Sequence, residues 1–220
     1  MNKNSSLLES EINKIERLRK RLGQPLPGIA AQELMMGRVV SMPEQIPANA
    51  RQSAVLCLLF PANEILHILL MKRREDNTAH SGQVSFPGGS YDRTDTSLQE
   101  TALREAQEEV GVSPSSVDIL GALTPLYIPV SNFNVHPFVG YATQRPQYVL
   151  SSNEVSYTIE IPLHTLLNAE TKTQTDVVSP AFPSIIRKVS AYKLADGTII
   201  WGATAMIISE LEVLLRTQMT

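Results

Sequence analysis

Three glutamates, Glu105, Glu108 and Glu109, stand at i, i+3 and i+4 directly after Arg104. On a helix these positions share one edge, with Cβ atoms about 5–6 Å apart. At that separation each carboxylate pair repels by roughly 3 kcal/mol if the effective dielectric is near 20. At about 100° per residue, Leu98, Ala102, Leu103, Ala106 and Val110 form an apolar arc of roughly 140°. Glu105 and Glu108 border that arc and Glu109 falls inside it. A helix built only to pack would carry Glu109 on its far side. An inward-turned group of hard oxygen donors suits Mg²⁺ or Mn²⁺.

Acidic clusters on helices are more often solvated faces, so the surroundings decide. Gly88-Gly89 lets backbone come close to a ligand, and Arg104 has the planar fork that holds a carboxylate in place. The helix ends are written in the chain. Thr96-x-x-Gln99 or Ser97-x-x-Glu100 forms a capping box, Asp95 offers a third cap, and Gly111 supplies a left-handed C′ residue.

The segment 89–112 resembles the Nudix box, G-x5-E-x7-R-E-U-x-E-E-x-G-U, with U a bulky apolar residue. Gly89, Arg104, Glu105, Glu108, Glu109, Gly111 and Val112 agree, seven positions in order within 24 residues. The stretch from Gly89 to Arg104 is one residue longer than the pattern. Asp95 or Thr96 stands where the first glutamate belongs, and Ala106 is small for its U position. That first glutamate is not usually the main metal ligand in the family. The resemblance implies an α/β Nudix fold, a mixed β-sheet sandwiched between α-helices, and hydrolysis of a diphosphate that links a nucleoside to another group. It implies divalent cations on Glu105, Glu108 and Glu109, with a Gly88 or Gly89 carbonyl completing the coordination. Arg104 would position a carboxylate. A further acid comes from a loop beyond the box in this family, and Glu154, at a loop–strand junction, is the candidate.

Residues 69–89 are similar to the signature L-L-T-x-R-[SA]-x3-R-x3-G-x3-F-P-G-G of Nudix enzymes that hydrolyse coenzyme A. Leu69, Leu70, Arg73, Gly82 and Phe86-Pro87-Gly88-Gly89 agree, while Met71, Arg74 and Thr78 depart from it. The longer loop before Arg104 is shared with that subfamily, and the stretches Glu154–Leu163 and Trp201–Ala205 resemble it too. The implied substrate is coenzyme A or an acyl-CoA. The basic run Lys72-Arg73-Arg74, with Gly88 and Gly89, is the candidate substrate-binding set. ADP-ribose, dinucleotides, damaged nucleotides and a non-catalytic nucleotide-binding regulatory module are the alternatives.

The elements that must position these groups follow from periodicity. Residues 5–22 read as an amphipathic helix carrying Leu8, Ile12, Ile15, Leu18 and Leu22, a packing arm or a dimer surface. Residues 28–50 read as irregular, with Pro43 and Pro47 as breakers. Strands are expected at 53–60, 65–72, 135–143 and 154–161, the stretch 117–126 and a loop to Asn134 come between the glutamate helix and the third of them, and a short helix is expected at 163–167. Residues 169–183 read as a loop. A hairpin of 184–194 and 198–201 turns at Asp196-Gly197, and a helix runs from Gly202 to Arg216 with Met206, Ile207, Leu211 and Leu214 inward. His67 and His136 read as structural. The domain division expected is 1–50, a helix and irregular arm, and 51–220, the catalytic domain.

Composition sets the outer limits. Of 220 residues, 43% are hydrophobic and 19% charged, with a net charge of −3. That balance suits one globular domain and gives no sign of a nucleic-acid or anionic-membrane surface. The lone Cys57 lies in an apolar run and excludes a disulfide scaffold. With no apolar signal segment at the start, the expectation is a reducing cytoplasm.

Overall fold

The computed structural model describes residues 3–36, 45–75, 80–179 and 182–216. Pro43 and Thr78 lie outside them, and so does the side chain of Leu8. The first helix, α1 (Lys3–Leu22), precedes a short α2 (Ile29–Glu33). A mixed sheet follows, built from β1 (Arg51–Ala62), β2 (Ile65–Arg73), β3 (Val84–Ser85) and β4 (Gly88–Ser90). Helix α3 (Leu98–Val110) interrupts it before β5 (Asp118–Ala122), β6 (Leu126–Ile128), β7 (Phe133–Tyr141) and β8 (Val155–Pro162) complete it. The short α4 (Leu163–Leu167) leads to a second, three-stranded sheet of β9 (Lys172–Ser179), β10 (Phe182–Lys193) and β11 (Ile199–Trp201), and α5 (Gly202–Arg216) closes the chain.

The main sheet runs β3-β2-β1-β7-β5, with β4 added to β1, β6 to β7 and β8 to β2. Among the described residues of this sheet, only β1 and β7 pair in parallel and the other pairs are antiparallel. Strand side chains alternate between faces, and β1 does so with both faces covered. Ala54, Leu56, Leu58 and Phe60 pack under α3 with Ala102, Ala106 and Val110. Cys57 and Leu59 face the other way, into the core that Ile15 and Leu18 of α1 and Ile207, Leu211 and Leu214 of α5 complete. The sheet is thus sandwiched between helices.

Helix α1 lies on this second core, with Leu18 fully buried and Ile15 and Leu22 nearly so, whereas Ile12 of the expected stripe is 45% exposed. The expectation of irregular chain over 28–50 missed α2, and the reason is tertiary. Gln32 donates through Nε2 to Glu210 Oε2 at 2.9 Å and to the Thr124 carbonyl at 2.9 Å. Glu210, fully buried on α5, also accepts from Gly28 N at 3.1 Å and Thr124 Oγ1 at 2.6 Å. The expected loop at 169–183 is largely β9, which pairs with β10 from Lys172 to Ser179. The hairpin at Asp196-Gly197 and the inward side of α5 lie as the pattern predicts.

Two register facts open the site. Strand β1 pairs with β2 only over Leu59–Ala62, and lower down Ser53–Val55 pairs with β4 instead. The strands therefore diverge, and the Phe86–Gly89 segment fills the wedge. Its Pro87 carbonyl accepts from Leu56 N at 2.8 Å.

Candidate active site

Ser97 is the N-cap of α3, its hydroxyl accepting from Glu100 N at 3.2 Å, while Glu100 reaches back to Thr96 N at 2.6 Å. Gly111, at φ 78°, ends the helix. Between these caps the acidic residues take three different surroundings. Glu109 is 3% exposed. Its Oε2 accepts from Gly88 N at 2.8 Å, and its Oε1 lies 3.3 Å from Arg73 Nη1. Burial, opposed by these two donors, pushes its pKa up to about 7. Glu105 is half-buried, and its pKa is raised, first by burial and then by the nearby charges of Glu108 and Glu154. Glu108 is the outermost, with 56% of its side chain exposed.

Arg104 ties this helix to the loop before it. Its Nε and Nη2 donate to Asp95 at 2.8 and 3.0 Å, and its Nη2 and Nη1 reach Glu105 at 3.0 Å and Glu108 at 2.9 Å. Asp95 is buried and also accepts from Thr101 Oγ1 at 2.7 Å and Asp92 N at 3.0 Å. The Arg104 fork and these donors hold its carboxyl well below the usual range. Counted from Gly89, Asp95 thus occupies the place where the box pattern has its first glutamate, and the extra residue falls between Asp95 and Arg104.

The two glycines serve different needs. A Cβ on Gly88, whose φ is 156°, would lie 2.4 Å from the Ala54 carbonyl oxygen. A Cβ on Gly89 would lie 2.4–2.5 Å from all three carboxyl atoms of Glu105. Backbone here lies directly against an acidic side chain.

These groups form one wall of a cleft of about 1280 Å³. Of the residues expected from sequence, Arg73, Gly88, Gly89, Glu105, Glu109 and Glu154 line it together. Lys72, Arg74, Arg104 and Glu108 do not. Strand alternation turns Lys72 away from Arg73, and it borders an adjoining cavity of about 560 Å³ that shares Gln83, Val177, Val178 and Trp201 with the cleft. Arg74 turns outward and donates to the Ser152 carbonyl. The expected basic cluster is therefore one arginine, already paired with Glu109. Glu154 is exposed at the rim, and its loop is fastened by Ser151 N to the Glu109 carbonyl at 2.9 Å.

The fold adds residues that the sequence reading missed as site residues. Arg51 begins β1, Phe133 begins β7, Lys188 lies on β10, and all three line the cleft with Tyr127, Trp201 and Met206. Only the Trp201–Ala205 stretch had signalled itself, by resemblance. Among the described residues, no three carboxylate, imidazole or thiolate groups are gathered as a ready-made cation cage. Arg104 draws Glu105 and Glu108, while Gly88 N and Arg73 draw Glu109. The donor chemistry still fits a hard divalent cation. Glu105 and Glu109 are oxygen donors whose pKa values the charge of Glu154 helps to raise, and a cation would offset that repulsion.

The NUDIX domain family model covers residues 50–179 of this chain, more than half of it, and that span holds the glycine loop, α3 and Glu154. The chain belongs to the Nudix family. A Nudix hydrolase called uncharacterized NudL from Pectobacterium atrosepticum is 34% identical over 174 residues, 77% of this chain and 85% of its own length. A protein of the same name from Enterobacter sp. strain 638 is 39% identical over 163 residues, covering 74% and 82%. Among solved structures, a MutT/nudix family protein from Enterococcus faecalis superposes with a TM-score of 0.51 at 16% identity, over 80% of this chain and 66% of that one. That likeness concerns the fold alone. As a Nudix hydrolase the chain is an enzyme, a diphosphatase of a family that works with divalent cations. No helix among the described residues is long and apolar enough to cross a membrane.

Proposed function

We propose that this Nudix hydrolase cleaves the diphosphate of coenzyme A or an acyl-CoA, releasing 3′,5′-ADP and 4′-phosphopantetheine or its acyl form. The observation that carries the reading is the cleft's division. Glu105, Glu109 and Glu154 stand on one wall, and Leu126, Tyr127, Ile128, Phe133, Trp201, Met206 and Ile207 on others. Its volume of about 1280 Å³ exceeds the roughly 300–1,000 Å³ of sites for drug-sized ligands. A long substrate, anionic in the middle and apolar at one end, suits both features. The resemblance over residues 69–89 supports the same choice.

Glu105, Glu108 and Glu109, with the Gly89 carbonyl, are the residues that would hold Mg²⁺ or Mn²⁺. Such a cation supplies neutralising charge for the diphosphate and lowers the pKa of water. The protein's own groups do the rest. Arg104 fixes Glu105 and Glu108 while Asp95 fixes Arg104. Arg73 and Gly88 N hold Glu109 against the glycine loop. Glu154, open to solvent at the rim, would accept the proton of the attacking water at its carboxylate. The apolar wall would exclude water from the pantetheine arm.

The test is a panel of coenzyme A, acyl-CoAs, ADP-ribose and dinucleotides with each metal, the products identified by mass. Coenzyme A esters turning over fastest, with 3′,5′-ADP as product, is the expected result. Faster turnover of ADP-ribose would overturn the substrate and leave the diphosphatase chemistry standing.

A further inference from the structure

Arg51 is held from three sides. Its backbone N donates to the Asn132 carbonyl at 2.9 Å, its Nη2 donates to the Ser131 carbonyl at 3.2 Å, and its guanidinium carbon lies 3.9 Å above the centre of the Phe133 ring. The parallel register of β1 and β7, which sets Arg51 against Phe133, builds this stack. A guanidinium has five N–H donors, and one is used here. Neither Arg51 nor Lys188 has a carboxylate partner among the described residues, and both line the cleft. Arg73, by contrast, is already engaged with Glu109.

Arg51 stands away from the acidic wall. Gly88 lies opposite Val55, and at about 3.3 Å per residue Arg51 is some 13 Å further along β1. An exposed arginine stacked on an aromatic ring has its fork pre-organised for a phosphate. A phosphomonoester carries nearly two negative charges at neutral pH, which two cations would balance.

We infer that Arg51, stacked on Phe133 and aided by Lys188, is a specificity-determining anion subsite that binds a second phosphate of the substrate, remote from the diphosphate that is cleaved. The inference rests on the reading of the cleft as a nucleoside-diphosphate site, and it replaces Lys72 and Arg74 as selectors of the substrate's extra charge.

The experiment compares wild type, Arg51→Ala, Arg51→Lys and Lys188→Ala on coenzyme A and its 3′-dephospho form. It also measures calorimetric binding of 3′,5′-ADP, 2′,5′-ADP and 5′-AMP. Wild type is expected to favour coenzyme A at least 10-fold in kcat/KM. Arg51→Ala should bring that ratio near one while leaving kcat for the dephospho form within about twofold, with Arg51→Lys and Lys188→Ala between. The bisphosphate that binds more tightly than 5′-AMP, and loses its advantage in Arg51→Ala, identifies the 3′- or 2′-ester as the ligand. An unchanged ratio in folded Arg51→Ala, shown by an unchanged melting temperature, overturns the subsite but not the diphosphatase. If wild type cleaves neither form yet prefers a bisphosphate through Arg51, the subsite stands and the proposed substrate falls.

Discussion

Glu109 concentrates the conflict that makes the site. Burial disfavours its charge, Gly88 N and Arg73 favour it, and the outcome is a pKa near 7. An unfolded glutamate titrates near 4.3. The folded pKa is the higher one, so this group favours the fold below the unfolded value and that contribution is lost as pH rises through about 7. At about 1.4 kcal/mol per unit the contribution is of order 4 kcal/mol at most. Metal-free wild type should therefore melt lower at pH 8 than at pH 5, and Glu109→Gln should flatten that slope while lowering kcat by at least about 100-fold. Identical slopes in EDTA for both proteins would count against the assignment. Asp95 acts one step back, through Arg104. Asp95→Asn should cost about 1–3 kcal/mol, because it leaves the Arg104 fork without its anion. It should lower kcat roughly 10-fold with little change in KM, since Glu105 and Glu108 lose their brace. A change confined to KM would assign Asp95 to substrate binding.

At the scale of elements, the glycine loop and α3 work as one piece, and substitution separates their duties. In Gly88→Ala the new methyl meets strand backbone at 2.4 Å, which cannot yield without opening β1 from β4. In Gly89→Ala its three nearest atoms are the carboxyl end of the Glu105 side chain, which can swing away. The expected result is a loss of several degrees in melting temperature for Gly88→Ala and a small loss for Gly89→Ala. Activity should fall at least 10-fold in both. Equal melting losses would show that Gly89 packs against more than Glu105. Helix α3 was legible because its signals are local: a capping box, a C′ glycine and a 3.6-residue stripe. Strand β9 was not, because Lys172–Val178 alternates half-buried with exposed positions without any fully buried one. Its polar residues carry no apolar period to read. The cleft cations were hidden for a different reason. Arg51 meets Phe133 only through the parallel β1–β7 register, 82 positions apart in the chain. The run Lys72-Arg73-Arg74 looked like a cluster, but strand alternation and the turn into the next loop disperse it.

In the whole molecule, the acidic wall and the larger core lie on opposite faces of the sheet, although that core also lends Leu126, Met206 and Ile207 to the cleft. The core shared by α1, α5 and the underside of β1, β2 and β7 holds most of the large buried side chains. The acidic wall sits at the margin of the smaller core beneath α3. Glu210 shows how the larger core is locked, a fully buried carboxylate fed by donors from Gly28, Gln32 and Thr124. No described side chain of α1 lines the cleft, and those described contribute packing rather than contact with substrate. Its Leu18 is fully buried and packs in the larger core. Leu18→Ala removes apolar volume where neighbours from β-sheet and helix cannot both collapse, and changes of this kind cost about 2–5 kcal/mol. The prediction is a lower denaturation midpoint in urea with an unchanged slope, and kcat and KM within about twofold of wild type below that midpoint. A fall in kcat in the fully folded Leu18→Ala protein would mean that α1 reaches the active site through the sheet. Unchanged turnover beside a clear loss of stability would show that the acidic wall keeps its geometry while the opposite core is loosened.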